Sequence, residues 1–135
     1  MAALSDYAEN LILNWLMRGG TSGGQTDAPS SLHLALFTAA PSDSGGGTEV
    51  SGNGYGRQTV TFDAATGTGG TTSNSANVTF TASGGNFGLV THIGIFDAST
   101  SGNLLWHGAM AGSGKQVNAG DSIQFATGSI DLTIA

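Results

Sequence analysis

Apolar residues recur at helical spacing in one stretch, Ser5 to Arg18, and elsewhere alternate with polar residues or gather in short runs. In that stretch Tyr7, Ala8, Leu11, Ile12, Trp15 and Leu16 form one wide apolar stripe, which predicts an amphipathic helix over residues 5–18. Ser5 suits its N-cap, Asp6 and Glu9 its first turn, and Arg18 its last turn. Gly19-Gly20 then stops it. The stripe either packs on the chain's own domain or lies as a clamp on a neighbouring subunit.

Past the helix, Gly19 to Ser31 has the composition of a linker or long surface loop. Leu32–Thr38 is apolar on both faces, with Leu32, Leu34 and Leu36 opposite His33, Ala35 and Phe37, as in a central strand. A loop is expected over Ser42–Gly54, an alternating strand over Tyr55–Phe62, and a second loop over Asp63–Ser75. Further strands are expected at Asn77–Thr81, Leu89–Asp97, Leu104–Met110, Lys115–Val117, Ser122–Ala126 and Ser129–Ile134. Turns fall at Ser99–Asn103 and Asn118–Asp121. Seven or eight short strands without interleaved helices predict a mainly β fold: an antiparallel β-sandwich, jelly-roll-like, with one N-terminal α-helix. The expected division is a helix and flexible arm at 1–31 and a β-sandwich at 32–135.

Composition adjusts this picture in one respect. Gly, Ser and Thr supply 54 of the 135 residues, yet 39% of the chain is hydrophobic, so it folds around a core while carrying long Gly/Ser/Thr loops. Charged residues are only 9%, against about a quarter in an ordinary domain. The net charge is −6, and the positive residues are Arg18, Arg57 and Lys115. Three scattered cations make neither a phosphate-binding patch nor a footing on an anionic membrane surface, so nucleic-acid and membrane partners are not expected. No apolar run approaches the ~20 residues of a membrane span, and no signal peptide is evident, so a soluble chain made in a cytoplasm is expected. Without cysteine there is no disulfide, thiolate ligand or cysteine nucleophile.

Candidate chemistry is sparse. His33, His92 and His107 all fall inside predicted strands among packing residues, which reads as burial and not as a metal trio. His92 and His107, in successive strands, are candidate neighbours. Gly112-Ser113-Gly114 does not match the nucleophile elbow. Asp43 and Glu49 lie together in a Gly-rich loop and read as solvated acids, not as a hydrolytic pair. Gly52-Asn53-Gly54-Tyr55-Gly56 leads into a strand with no adjacent lysine, unlike a phosphate loop. No D-x-D-x-D-G series is present for calcium. The expectation is therefore no enzymatic activity, no catalytic residue, no metal and no cofactor.

The ordered segments LSDYAENLILNWLMRGG, LHLALFTAAPSD, EVSGNGYGRQTVTF, FGLVTHIGIFDASTSGNLLWHGAM and VNAGDSIQFATGSIDLTI carry a resemblance that spans Leu4 to Ile134. The chain resembles a family of small tailed-bacteriophage virion proteins of tail-fibre-like or capsid decoration (cement) type. The resemblance implies a structural β-sandwich located in the virion, assembled in the bacterial host cytoplasm. It implies a capsid decoration protein that binds the major capsid shell as a homotrimer, with a tail or tail-fibre component as the alternative. A carbohydrate-binding module, using Tyr55, Phe87 or Trp106, is a further alternative. Candidate interface residues are Tyr7, Leu11, Trp15, Phe37, Tyr55 and Arg57. Arg57 projects from the polar strand face, positioned for a bidentate contact to a carboxylate or to backbone. Gly94 is expected to admit a backbone or a large ring such as Trp106.

Overall fold

Two long apolar patterns, Leu32–Ala39 and the stretch around Ile93–Ile95, organise the fold because both are buried on two sides. The computed structural model describes residues 3–17, 28–65 and 70–134. Their elements run β1 (Ala3–Leu4), α1 (Asp6–Met17), β2 (Leu32–Ala39), β3 (Thr48–Glu49), β4 (Gln58–Val60), β5 (Thr71–Ser73) and β6 (Val78–Thr81). There follow β7 (Gly88–Val90), β8 (His92–Phe96), β9 (Leu104–Ala109), a 3-10 turn (Ala111–Ser113), β10 (Lys115–Val117), β11 (Ser122–Phe125) and β12 (Asp131–Thr133). Of the described residues 42% are strand and 13% helical, and the strand pairs are antiparallel. This is the mainly β, one-helix class that the alternation predicts.

The main sheet has the order β1-β9-β8-β2, and the outer edge of β2 is shared by two strands. β4 pairs with Leu32–Leu34 and β3 with Phe37 and Ala39. The other strands form three two-stranded pairs, β5 with β12, β6 with β11 and β7 with β10. These pairs follow one another with only small slips of register, so residues 71–90 and 115–133 make one long antiparallel ribbon with two interruptions. Asparagines bridge the gaps. Fully buried Asn74 donates to Ala76 O and Ala126 O (both 2.9 Å) and accepts from Ile130 N–H (2.8 Å). Asn77 Oδ1 accepts from Thr127 N–H, and at the second interruption Asn86 Oδ1 accepts from Ala119 N–H. Side-chain amides thus replace ladder bonds where the strands part.

The ribbon covers one face of the sheet. Leu34, Leu36 and Ile95 meet Val78, Phe80, Val117, Ile123, Ile130 and Leu132 in the main core. Ala35 and Phe37 point the other way and are buried as well, Phe37 to 2% exposure, so Phe37 is not available as the intersubunit contact the sequence suggested. Its ring lies stacked on Phe96, 6.3 Å between centroids. A Cβ at Gly94 would stand 2.9 Å from both the Phe37 ring and Leu104 Cδ1. The ring that Gly94 admits is therefore Phe37, not Trp106. Trp106 pairs with Ile95 and so projects to the opposite face.

Several elements differ from expectation. Leu89–Asp97 is not one strand: it leaves the ribbon after Val90 and enters the sheet at His92, with Thr91 N–H donating to Phe37 O (2.9 Å) at the crossing. Tyr55–Phe62 keeps strand pairing only at Gln58–Val60 and a bridge from Phe62 to Asn74. Short strands β1 and β3, and β5 within the expected loop Asp63–Ser75, lie where no strand was expected. Each is two or three residues long, too short to impose a period. The helix ends its described course at Met17; Arg18 and the Gly19–Asp27 part of the expected linker lie outside the described residues.

Helix α1 begins as its sequence implies. The Ser5 hydroxyl donates to Leu104 O and accepts from Ala8 N–H (3.3 Å), while Ser5 N–H donates to Leu105 O (2.9 Å). β1 pairs with β9 immediately before it, so the helix start is tied to the sheet. The stripe is covered only at that end. Ala8 is buried and Tyr7, Leu11 and Ile12 are half-buried, whereas Trp15 is 60% exposed and Leu16 emerges with it.

Candidate functional site

The Arg57 side chain is the hub of the site. β3 and β4 flank the loop that carries it, and both are held by β2, so Glu49 and Arg57 approach from neighbouring strand ends. Arg57 Nε donates to Glu49 Oε1 and Nη2 to Glu49 Oε2, each at 2.8 Å. Its Nη1 donates to Ala98 O (3.0 Å) and Ser101 O (2.7 Å) in the β8–β9 turn. The guanidinium lies 3.6 Å above the Phe96 ring. Tyr55 adds its hydroxyl, donating to Glu49 Oε1 (2.7 Å) and accepting from Leu36 N–H (3.1 Å).

The electrostatics follow from these contacts. Burial alone would raise the Glu49 carboxyl, but hydrogen bonds from Arg57 and Tyr55 and the Arg57 charge outweigh it and hold Glu49 below its ordinary value. Burial pushes the Tyr55 phenol well above its ordinary value, and the neighbouring Glu49 adds to the shift. The hydrogen bond to Glu49 raises Arg57 above its ordinary value against the opposing effect of burial. All three groups therefore keep their pairing across the physiological range.

Above this hub lies an open cleft of about 630 Å³. Its walls are the start of α1 (Ser5–Tyr7), the loop Asp43–Gly47 and the turn Ser101–Leu104, and its floor holds Phe37, Phe96, Glu49 and Arg57. Each wall is pinned. Asp6 N–H donates to Asp43 O (3.0 Å), and His107 Nε2 lies 2.8 Å from Asp43 Oδ1. Asp97 accepts from the backbone and the side-chain amide of Asn103 (2.7 and 2.8 Å), closing the turn. Gly45, Gly46 and Gly47 all have positive φ (98°, 80° and 77°), a run that side chains with a Cβ rarely adopt.

Of the six interface candidates, Tyr7, Phe37 and Arg57 line this cleft and Tyr55 stands behind it through Glu49. Leu11 and Trp15 lie farther along α1. Arg57 makes the two-bond carboxylate contact its strand position suggested. Of the two acids read as solvated, Asp43 is 60% exposed and engages His107, whereas Glu49 is gripped by Arg57 and Tyr55. The histidines are half-buried, not buried, and each has a polar neighbour. His33 Nε2 meets Ser31 Oγ at 3.1 Å and His92 Nδ1 meets Thr91 Oγ1 at 2.8 Å. The register puts His33 and His92 at opposite ends of the β2–β8 pairing, and His92 lies diagonal to His107 across β8 and β9. No three metal-ligating side chains converge among the described residues.

The sugar-binding aromatics also fall differently. Phe87 is buried, Tyr55 stacks on Phe80 and meets Phe87 edge-on, and Trp106 packs against the main core. None of the three is an open platform. No local pattern signals the cleft as a whole, since its parts come from residues 5–7, 37, 43–57 and 96–104. The Ser5 cap, Arg57 and the Ser99–Asn103 turn were its visible components.

The family model described as Podophage GP4 fiber I protein gp80 matches residues 3–133, and the chain belongs to that family. It is a structural component of a tailed-phage virion. Comparison with curated proteins gave no match.

Proposed function

We propose that the chain is a non-enzymatic structural subunit of the tail-fibre apparatus. The observation that carries this reading is the match of a fibre-protein family model over residues 3–133. The fold supports it: the described residues form a β-domain held by internal pairings and contain no repeat of the kind that builds a fibre shaft. The module therefore serves at a junction or tip. Fibre over capsid decoration is favoured by the family's description, and no feature of the fold calls specifically for a shell surface.

The proposed partners are further copies of the chain, as a homotrimer, together with other virion proteins, and assembly takes place in the host cytoplasm. Support for self-association comes from α1, where Leu13, Leu16 and Met17 form an outward stripe at i, i+3, i+4 spacing and Met17 is 73% exposed. Separation of disrupted particles into heads and tails tests the assignment. The chain should sediment with tails; recovery with heads alone would restore the decoration reading.

A further inference from the structure

We infer that Lys115 guards a free sheet edge, closing the outer side of β11 against strand pairing with a second copy of this chain. The two strands of the long ribbon differ in what flanks them. Along residues 71–90 the outer side is tied down: Ser75 N–H donates to Thr61 O, Ser83 N–H to Asn53 O and Thr91 N–H to Phe37 O. The strands within residues 115–133 pair only with that first strand among the described residues. Their other side is therefore an edge, and an edge offers unpaired N–H and C=O groups to any strand that approaches.

β11 is the piece of that edge best suited to pairing. Ala82 N–H donates to Asp121 O (2.9 Å), so the backbone groups of Asp121, Ile123 and Phe125 turn toward β6. Those of Ser122 and Gln124 turn outward, because the two directions alternate along an antiparallel strand. Ser122–Thr127 (SIQFAT) carries no charge, proline or glycine and has β-formers at Ile123 and Phe125, the composition of a segment that pairs with copies of itself. One cation meets this edge. Of the chain's three, Arg57 is held in the hub and Arg18 lies outside the described residues; exposed Lys115 reaches from β10, and its Nζ donates to Ser122 O (2.8 Å). The ammonium thus occupies an outward carbonyl that an incoming strand would need. Two copies meeting edge to edge would also bring like charges together. An exposed bond of this kind adds little to folding, so its loss should show in association and not in melting.

The inference stands on the single chain. Association through α1, proposed above, uses no sheet edge, and the tail-fibre assignment is read on particles, so each of these fails separately. The test compares the full parent chain with Lys115→Met, which keeps the apolar stem and removes the charge and the donors, and with Lys115→Arg, which keeps both. Light scattering follows mass from micromolar to millimolar concentration, and amide hydrogen exchange follows the edge. Lys115→Met should melt with the parent yet grow with concentration to multiples of the parent's mass. Exchange at the Ser122 and Gln124 amides should slow as it does so, since a new partner strand would bond them. Lys115→Arg should keep the parent's mass throughout. Lys115→Met holding the parent's mass, association that leaves the Ser122 and Gln124 amides unprotected, or equal association by Lys115→Arg would overturn the inference. So would loss of the Lys115→Met melting transition, because the lysine would then serve folding and not the edge.

Discussion

Arg57 joins Glu49 through two parallel 2.8 Å hydrogen bonds, and the same guanidinium reaches across to the carbonyls of Ala98 and Ser101. One side chain thus fixes the loop before β4 against the β8–β9 turn. The fork needs a planar donor set, which lysine lacks. Arg57→Lys should cost about 1.5–3 kcal/mol, the scale of hydrogen bonds to charged groups. Arg57→Ala should cost more, because Glu49 would keep its charge in a partly buried place without a partner. Urea denaturation reads both, and an unchanged midpoint for Arg57→Ala would show that the hub contributes nothing.

The same hub sets a pH window for stability. Glu49 is held below its ordinary value of 4.5, so its contribution is complete above that value and is lost as pH falls through the folded value. Tyr55 is held above its ordinary value of 10.0, so its contribution is complete below that pH and declines as pH rises past it. Melting temperature should therefore fall on the acid side below about pH 4.5 and on the alkaline side above about pH 10. Glu49→Gln should flatten the acid limb, and Tyr55→Phe the alkaline one.

Asn74 should be the most sensitive polar position in the ribbon, since its buried amide makes three backbone hydrogen bonds. Asn74→Asp keeps the shape but replaces two donated bonds with carboxylate–carbonyl repulsion. It should cost at least about 3 kcal/mol, the upper range for an unsatisfied buried group. Exposed Asn77, whose Oδ1 serves Thr127 alone, should cost about 1 kcal/mol as Asn77→Ala. Equal effects would contradict the bridging role.

How far the sequence disclosed this structure depends on the range of each interaction. The Ser5-capped helix, the central strand Leu32–Ala39 and the Asn118–Asp121 turn rest on neighbours within a few residues, and each was legible. The break at Thr91 was not, because Leu89–Asp97 is rich in β-branched and aromatic residues on both sides of it, and only its two sets of partners, β10 and then β2 with β9, divide it. Phe37 read as a possible outer contact because both faces of its strand are apolar, and only the Gly94 gap beneath it shows where the ring goes. Arg57 was legible as a fork-former. Its partner was visible only as an acid in a glycine-rich loop, since the 3D proximity of Glu49 depends on β2 pairing with both β3 and β4.

The two ends of α1 should behave differently. Removing residues 1–17 deletes β1 and the Ser5 bonds to Leu104 and Leu105, so the truncated chain should lose stability. Leu13→Gln with Leu16→Gln leaves those ties intact and should change stability by no more than about 0.5 kcal/mol each. If the outward stripe joins copies, light scattering should show the double variant falling from trimer to monomer. A double variant that keeps the parent mass would remove α1 from the assembly.

The proposed place of this family member is the tail fibre of the virion. Immunogold labelling of intact particles with antibody raised to the purified chain tests it directly, viewed beside an averaged cryo-electron microscopy map. Gold and matching density should lie at the tail fibres, with the head shell bare. Label distributed over the head lattice, or particles carrying none of the chain, would contradict it.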